Sequence, residues 1–171
     1  MNTFLAVRSL FFLALLPGVV AGYVPYRILV GSGSLHLPPI RFFSICAIAL
    51  TLSGVVILLR CVWDFFAIGK GTLAPIDPPR HLVVRGLYRY TRNPMYNGVI
   101  LILIGESWLF ASPLVLRYAM AVFIAFHVFV VLYEEPMLTT QFRESYLAYR
   151  RSVPRWGFTI HAYDAGTRSN A

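Results

Sequence analysis

Four apolar runs alternate with short polar segments along this chain. They extend from about Phe4 to Tyr23, Ile40 to Leu59, Met95 to Ser112 and Leu114 to Tyr133. Each run approaches the about 20 residues that a helix needs to cross about 30 Å of hydrocarbon. The pattern therefore predicts an all-α, polytopic membrane protein with about four transmembrane helices.

The connections between these runs differ in length and composition. Glycines and prolines between Tyr23 and Ile40 predict a loop, whereas Ser112-Pro113 is short enough to make the last two runs a helical hairpin. The first run carries one early positive charge, Arg8, and small residues near Ala21. It therefore fits either a retained span or a cleaved signal peptide.

Beyond Glu134 the apolar residues recur at helical spacing, which predicts a cytoplasmic amphipathic helix that lies at the membrane surface or folds over the polar loop. The apolar positions are Leu138, Phe142, Tyr146, Tyr149 and Val153, and the charged ones are Arg143, Glu144, Arg150 and Arg151. We divide the chain into an N-terminal transmembrane helix pair (1–68), a region with the polar loop, the hairpin and the amphipathic helix (69–158), and a disordered tail (159–171).

Composition and charge agree with a membrane protein. Of 171 residues, 58% are apolar, against about 45–50% in soluble domains, and the formal net charge is +8. The arginines lie between apolar runs, where they set orientation, so nucleic-acid binding is not predicted. Eleven Lys and Arg residues flank the hairpin, whereas only Arg117 lies near its turn, which predicts cytoplasmic N- and C-termini.

Two polar clusters bound the hairpin. Antiparallel geometry puts Arg92, Asn93 and Tyr96 at the depth of Glu134 and Glu135. Arginines can bind the carboxylate of a ligand, and glutamates can bind an ammonium group. Tyrosines can stack on a flat ring or contact a sulfonium. These residues indicate either a site for a small ligand with both charge signs or a salt-bridged helix end. No metal-ligand spacing is present.

Three further polar residues lie within the hairpin helices. Glu106 and Arg117 are close enough in predicted depth to form a structural ion pair across the hairpin. His127 precedes Glu134 by seven positions and is expected to be hydrogen-bonded between helices, or else to line an acceptor groove.

The two clusters belong to longer blocks. The first contains Gly86, Tyr88, Arg89, Arg92, Asn93, Pro94, Tyr96 and Gly98; the second contains Glu134, Glu135, Leu138, Phe142, Arg143, Tyr146, Tyr149, Val153, Pro154 and Arg155. Together they resemble the hallmark motifs of the integral-membrane isoprenylcysteine carboxyl methyltransferases and their phospholipid methyltransferase relatives. Asn93 replaces a histidine of that pattern, and Arg143 replaces a glycine.

The resemblance implies an S-adenosylmethionine-dependent methyltransferase whose lipidic or prenylated acceptor enters from the bilayer. It implies catalytic roles for Glu134, Glu135 and Arg92. The implied cofactor-binding residues are Tyr88, Arg89, Arg92, Asn93, Pro94, Tyr96, Gly98, Glu134, Glu135, Tyr146, Arg150 and Arg155. Two alternatives stay open, a sterol-reductase-type enzyme using NADPH and a non-catalytic membrane scaffold, and the oligomeric state is undetermined.

Overall fold

The computed structural model describes residues 17–36, 39, 42–68, 82 and 84–164, without the side chains of residues 65–68. Within these ranges every regular element is helical, which confirms the predicted all-α class. The helices are α1 (Val24–Gly31), α2 (Phe42–Ile68), α3 (Pro94–Leu109), α4 (Pro113–Phe129) and α5 (Glu135–Ser152). Residues 4–16 of the first predicted span and 69–81 of the polar connection lie outside the described residues.

Helix α1 occupies part of the segment that was expected to be a loop. A π-turn over Val19–Tyr23 leads directly into α1, which ends at Gly31. Pro25 is tolerated because it lies in the first turn of α1, where a missing N–H removes no required hydrogen bond. The loop prediction was therefore wrong for residues 24–31.

Small residues bring α2 and α3 into close contact. A Cβ built on Gly54 would lie 2.6 Å from the carbonyl oxygen of Gly98, and one on Gly105 would lie 2.8 Å from the Thr51 nitrogen. Real Cβ atoms cannot approach this closely, so both positions require glycine at this helix spacing. Such contacts are typical of helices that associate within a bilayer.

Helices α3 and α4 form the predicted hairpin. They are joined at Ala111, with a φ of 47°, and at Ser112, whose side chain accepts from the Val115 N–H at 3.4 Å. Apolar residues of the two helices form one buried cluster with Ala21: Val99, Ile102, Leu103, Ala119 and Val122. The hairpin therefore places the start of α3 beside the end of α4.

A π-turn over Val130–Glu134 carries α4 into α5, which bends where Arg143 has φ 43° and ψ −119°. The buried side chains of Tyr146, Tyr149 and Val153 form an apolar cluster that packs with Leu138 and Phe142 of α5. Its other partners are Leu82, Val84 and Tyr163.

We call residues 153–164 the C-terminal arm. The arm includes part of the segment predicted as a disordered tail, yet the Thr159 and Tyr163 N–H groups donate to the carbonyls of Tyr90 (2.9 Å) and Arg89 (3.0 Å). Residues 159–164 are thus held against the Arg89–Tyr90 backbone, which corrects the tail prediction for them. Residues 165–171 lie outside the described residues.

Two described helical segments are long and apolar enough to cross a membrane. They are Phe42–Asp64, with a mean hydropathy of 2.6, and part of the continuous run Pro113–Ser152, with a mean hydropathy of 2.2. Only 17% and 22% of their apolar windows are buried, whereas a core helix of a soluble protein would be mostly buried. Helix α3 has 16 residues and is shorter than a typical span.

Candidate active site at the mouth of the hairpin

The segment before α3 is shaped by glycine and proline. Gly86 opens a 3₁₀ turn (Gly86–Arg89) with a φ of 54°, and a Cβ there would meet the carboxylate of Asp64. Both its conformation and this close approach therefore favour glycine. Pro94 begins α3 and is buried, and its fixed φ suits the first position of a helix, where a missing N–H removes no required hydrogen bond.

Glu135 is the centre of the site. Its Oε1 accepts from Arg92 Nη1 at 2.8 Å, and its two oxygens accept from Arg155 Nε and Nη2 at 2.5 and 2.9 Å. Arg150 Nη2 lies 3.7 Å from Oε2. The Glu135 side chain is only 7% exposed, so one buried carboxylate is shared by three guanidinium groups.

This environment determines the ionisation of Glu135. Burial alone would raise the pKa of its carboxyl, but the hydrogen bond from Arg155 and the charges of Arg92, Arg155 and Arg150 outweigh burial. The pKa is lowered from its ordinary value of 4.5. Glu135 is therefore a permanent anion at neutral pH and is unsuited to accept a proton.

Glu134 has a different environment although it is the adjacent residue. Its Oε1 accepts from the Tyr96 hydroxyl at 2.5 Å, and no described arginine forms an ion pair with it. Burial raises the pKa of Glu134, the Tyr96 hydrogen bond lowers it, and the Glu135 charge raises it, with a net increase. Glu134 is thus the acid better suited to exchange a proton or to face a cation.

Arg92 is nearly buried, with a side chain 10% exposed. Burial raises the pKa of the Tyr146 hydroxyl, and the neighbouring Arg92 guanidinium opposes that rise. The Arg92 Nε is also buried and has no hydrogen-bond partner among the described residues. A buried donor without a partner is costly, so this atom is a candidate contact for an anionic ligand group.

Hydrogen bonds from the C-terminal arm and α5 complete the site. Asn93 Nδ2 donates to the carbonyl of Arg155 at 3.1 Å, the Arg92 N–H donates to the carbonyl of Pro154 at 3.0 Å, and the Tyr149 hydroxyl donates to the carbonyl of Tyr88 at 2.6 Å. Residues from three separate parts of the sequence thus meet at one end of the hairpin.

Two of the predicted binding residues do not join this cluster. Arg89 Nε donates to the carbonyl of Tyr163 at 2.8 Å, and its Nη2 lies 3.8 Å from Asp164. A Cβ on Gly98 would lie 3.0 Å from the carbonyl oxygen of Gly54, so Gly98 serves the contact with α2. The other predicted site residues lie at the mouth of the hairpin.

The predicted pair between Glu106 and Arg117 does not form. Arg117 is exposed, and Glu106 Oε2 is buried without a hydrogen-bond partner among the described residues. The prediction was wrong because closeness in depth does not imply that the two side chains face each other. At about 100° per residue, Arg117 points away from the side of α4 on which Val115 and Ala119 are buried.

Trp156 is a neighbour of the site that sequence reasoning missed. Its indole Nε1 donates to His127 Nδ1 at 3.0 Å, so His127 is hydrogen-bonded as expected, but to the C-terminal arm and not to another helix. A lone tryptophan after the Val-Pro-Arg block carries no motif, and the contact spans 29 residues. Only its position directly after Arg155 could have suggested a role.

These features describe a helical membrane protein with a buried arginine–glutamate site at one end of a helical hairpin. The family model for phospholipid methyltransferases matches residues 42–145 of the chain. The chain therefore belongs to the phospholipid methyltransferase family, which confirms the predicted relationship. No curated protein and no solved structure matches the chain.

The match contains Arg92, Tyr96, Glu134 and Glu135, and it ends just before Tyr146. Arg150, Arg155 and Trp156 lie beyond it.

Proposed function

We propose that this protein is an S-adenosylmethionine-dependent membrane methyltransferase of the isoprenylcysteine carboxyl methyltransferase type, with a lipid or lipidated methyl acceptor. The observation that carries the proposal is the buried Glu135 held by Arg92 and Arg155 beside the Tyr96–Glu134 pair. This arrangement lies mainly within the part of the chain that matches a family of methyltransferases.

The charges of the site suit S-adenosylmethionine, which carries a carboxylate, an ammonium, a sulfonium and an adenine ring. Three arginines share one carboxylate at Glu135, which leaves an excess of positive charge, and Arg92 Nε has no hydrogen-bond partner in the part of the chain that the structure describes. We assign the cofactor carboxylate to this side and the cationic groups to the side of Glu134 and the tyrosines.

The proposed binding set follows from the contacts at the hairpin mouth. It omits Arg89 and Gly98, whose contacts are to the arm and to α2. It consists of Tyr88, Arg92, Asn93, Pro94, Tyr96, Glu134, Glu135, Tyr146, Arg150 and Arg155.

S-adenosylmethionine, when bound, would supply an electrophilic methyl group. Methyl transfer requires alignment of the reacting atoms and exclusion of water, so the chain needs no nucleophile of its own. In this proposal Arg92 and Glu135 orient the ligand. Glu134, whose pKa is raised by burial, takes the proton if the acceptor is an amine; a carboxylate acceptor needs no base.

We further propose four membrane spans, with the site and both termini on the cytoplasmic side and α5 at the membrane surface. The exposed apolar side chains of α2 and α4 and the arginine-rich segments flanking the hairpin support this arrangement. Residues 1–68 would form the N-terminal helix pair and 69–158 the catalytic region, and the acceptor would enter from the bilayer. Membrane lipids are the proposed partners.

Ligand binding tests the proposal directly. Binding of S-adenosylmethionine and of NADPH is measured on detergent-purified wild type, Arg92→Lys and Glu134→Gln, with Arg151→Lys, an exposed position on α5, as the control. Arg92→Lys keeps a positive charge near Glu135 but removes the buried guanidinium Nε. We expect saturable S-adenosylmethionine binding that weakens by about tenfold in the two site variants and is unchanged in the control.

Transfer of a labelled methyl group into the lipid extract of membranes containing the protein tests the reaction itself. Binding of NADPH alone would favour a reductase. Binding of neither ligand would favour a scaffold, and either result would overturn the proposed function.

A further inference from the structure

Trp156 and His127 form a hydrogen-bonded pair beside the candidate active site, outside its set of charged groups. Trp156 Nε1 lies 3.0 Å from His127 Nδ1, and both side chains are half-buried. An indole N–H can only donate, so Nδ1 of His127 accepts and carries no proton. This contact joins the C-terminal arm to the last turn of α4.

Aromatic rings hold the indole of Trp156 between α3 and α4. Its ring centroid lies 5.1 Å from that of Phe123, 6.1 Å from that of His127 and 6.5 Å from that of Tyr96. Tyr96 in turn donates to Glu134. His127 precedes Glu134 by seven residues and therefore lies about 10 Å deeper along the helix.

The residues just before Trp156 make the contacts that shape the site. The carbonyl of Pro154 accepts from the Arg92 N–H at 3.0 Å, and the carbonyl of Arg155 accepts from Asn93 at 3.1 Å. The Arg155 guanidinium contacts both oxygens of Glu135. Helix α5 ends at Ser152, so these residues lack helical hydrogen bonds and are held by their contacts with other parts of the chain.

We propose that His127 and Trp156 are positioning residues of the methyltransferase site. Their hydrogen bond anchors the C-terminal arm in the hairpin, which keeps Arg155 paired with Glu135 and thereby keeps Arg92 oriented toward the ligand. The effect on the cofactor rests on the proposed function, whereas the anchoring of the arm does not. Neither residue is assigned a contact with the reacting atoms.

Three variants distinguish the effect of losing the hydrogen bond from the effect of losing packing volume. Trp156→Phe keeps an aromatic ring but removes the donor, and His127→Leu removes the acceptor. His127→Asn places an oxygen near the position of Nδ1 and restores an acceptor. Trp108→Phe is the matched control, since Trp108 is 57% exposed at the far end of α3.

The first measurement is the affinity for S-adenosylmethionine. Loss of one hydrogen bond that orders the arm should weaken binding by about five- to tenfold in Trp156→Phe and His127→Leu. His127→Asn should recover most of the affinity, and Trp108→Phe should match the wild type. If Trp156→Phe binds the cofactor as the wild type does, the positioning role is overturned.

The second measurement is hydrogen exchange without any ligand. The Thr159 and Tyr163 amides, which donate to Tyr90 and Arg89, should exchange about fivefold faster in Trp156→Phe and His127→Leu than in the wild type. Unchanged exchange would overturn the anchor. Faster exchange with unaltered affinity would overturn the link from the arm to the cofactor.

A wild type that does not bind S-adenosylmethionine would refute the proposed function, and the exchange rates would still decide whether the arm is anchored.

Discussion

At Arg143 the backbone of α5 adopts a conformation that favours glycine. Its φ of 43° and ψ of −119° lie outside the helical region, and the helix bends there. A non-glycine residue in such a conformation costs about 1–3 kcal/mol. The methyltransferase pattern described above has glycine at this position, so the arginine retains the bend at the expense of local strain.

Arg143→Gly should therefore raise the free energy of unfolding by about 1 kcal/mol, after allowance for the greater chain entropy of glycine. The measurement is thermal or denaturant unfolding in detergent. Thr140→Gly, at an exposed helical position of α5, is the control. It should lower the free energy of unfolding by about 0.5 kcal/mol. A loss of stability in Arg143→Gly would contradict the interpretation of strain.

The two adjacent acids differ in how they respond to pH. The pKa of Glu135 is lowered in the folded protein, so its contribution to stability is present above the ordinary pKa of 4.5 and is lost as pH falls through the folded value. The pKa of Glu134 is raised, so its charge opposes folding at neutral pH.

Glu135→Gln should lower the free energy of unfolding at pH 7 by about 3 kcal/mol, because it leaves buried arginines without their counter-ion. It should also remove much of the acid sensitivity of the wild type below pH 4.5, which unfolding followed by tryptophan fluorescence would detect. Glu134→Gln should be neutral or stabilising at pH 7. Equal destabilisation by both variants would refute the division of roles.

At the scale of helices, the position of the site depends on how closely α2 and α3 approach each other. Gly54, Gly98 and Gly105 line this contact, and Asp64 near the end of α2 lies against Gly86 in the turn before α3. Displacement of α2 would therefore also displace the turn that leads to Tyr88 and Arg92.

Gly105→Ala should lower the free energy of unfolding by about 1–3 kcal/mol, since its methyl group would meet Thr51 and the carbonyl of Ala47. Thermal unfolding in detergent measures the change. Gly22→Ala is the control, because a Cβ there has no neighbour within 4 Å, and it should be neutral or stabilising. If both variants behave alike, the close approach of the two helices is not required.

At the scale of the whole molecule, the hairpin has its turn at one end and the charged site at the other. Ala111 lies in that turn, and Arg151 lies near the end of α5, and both are exposed. In the proposed orientation the turn faces away from the cytoplasm.

A cysteine at Ala111 should react with a membrane-impermeant maleimide added to intact cells, whereas a cysteine at Arg151 should react only after permeabilisation. The unaltered protein gives the background from Cys46 and Cys61, which is expected to be low because Cys61 is buried and Cys46 half-buried. Labelling of both positions from the same side would refute the hairpin orientation.

The sequence by itself determined the helical class, the hairpin and the meeting of Arg92 and Tyr96 with the two acids. These features follow from local rules, since apolar run length predicts a span and an antiparallel hairpin brings its two ends to one depth. Only the tertiary structure decided which acid pairs with the arginines, where Arg117 points, and that the C-terminal arm returns to bind His127. Those outcomes depend on side-chain direction and on contacts between residues far apart in the chain, which no local pattern encodes.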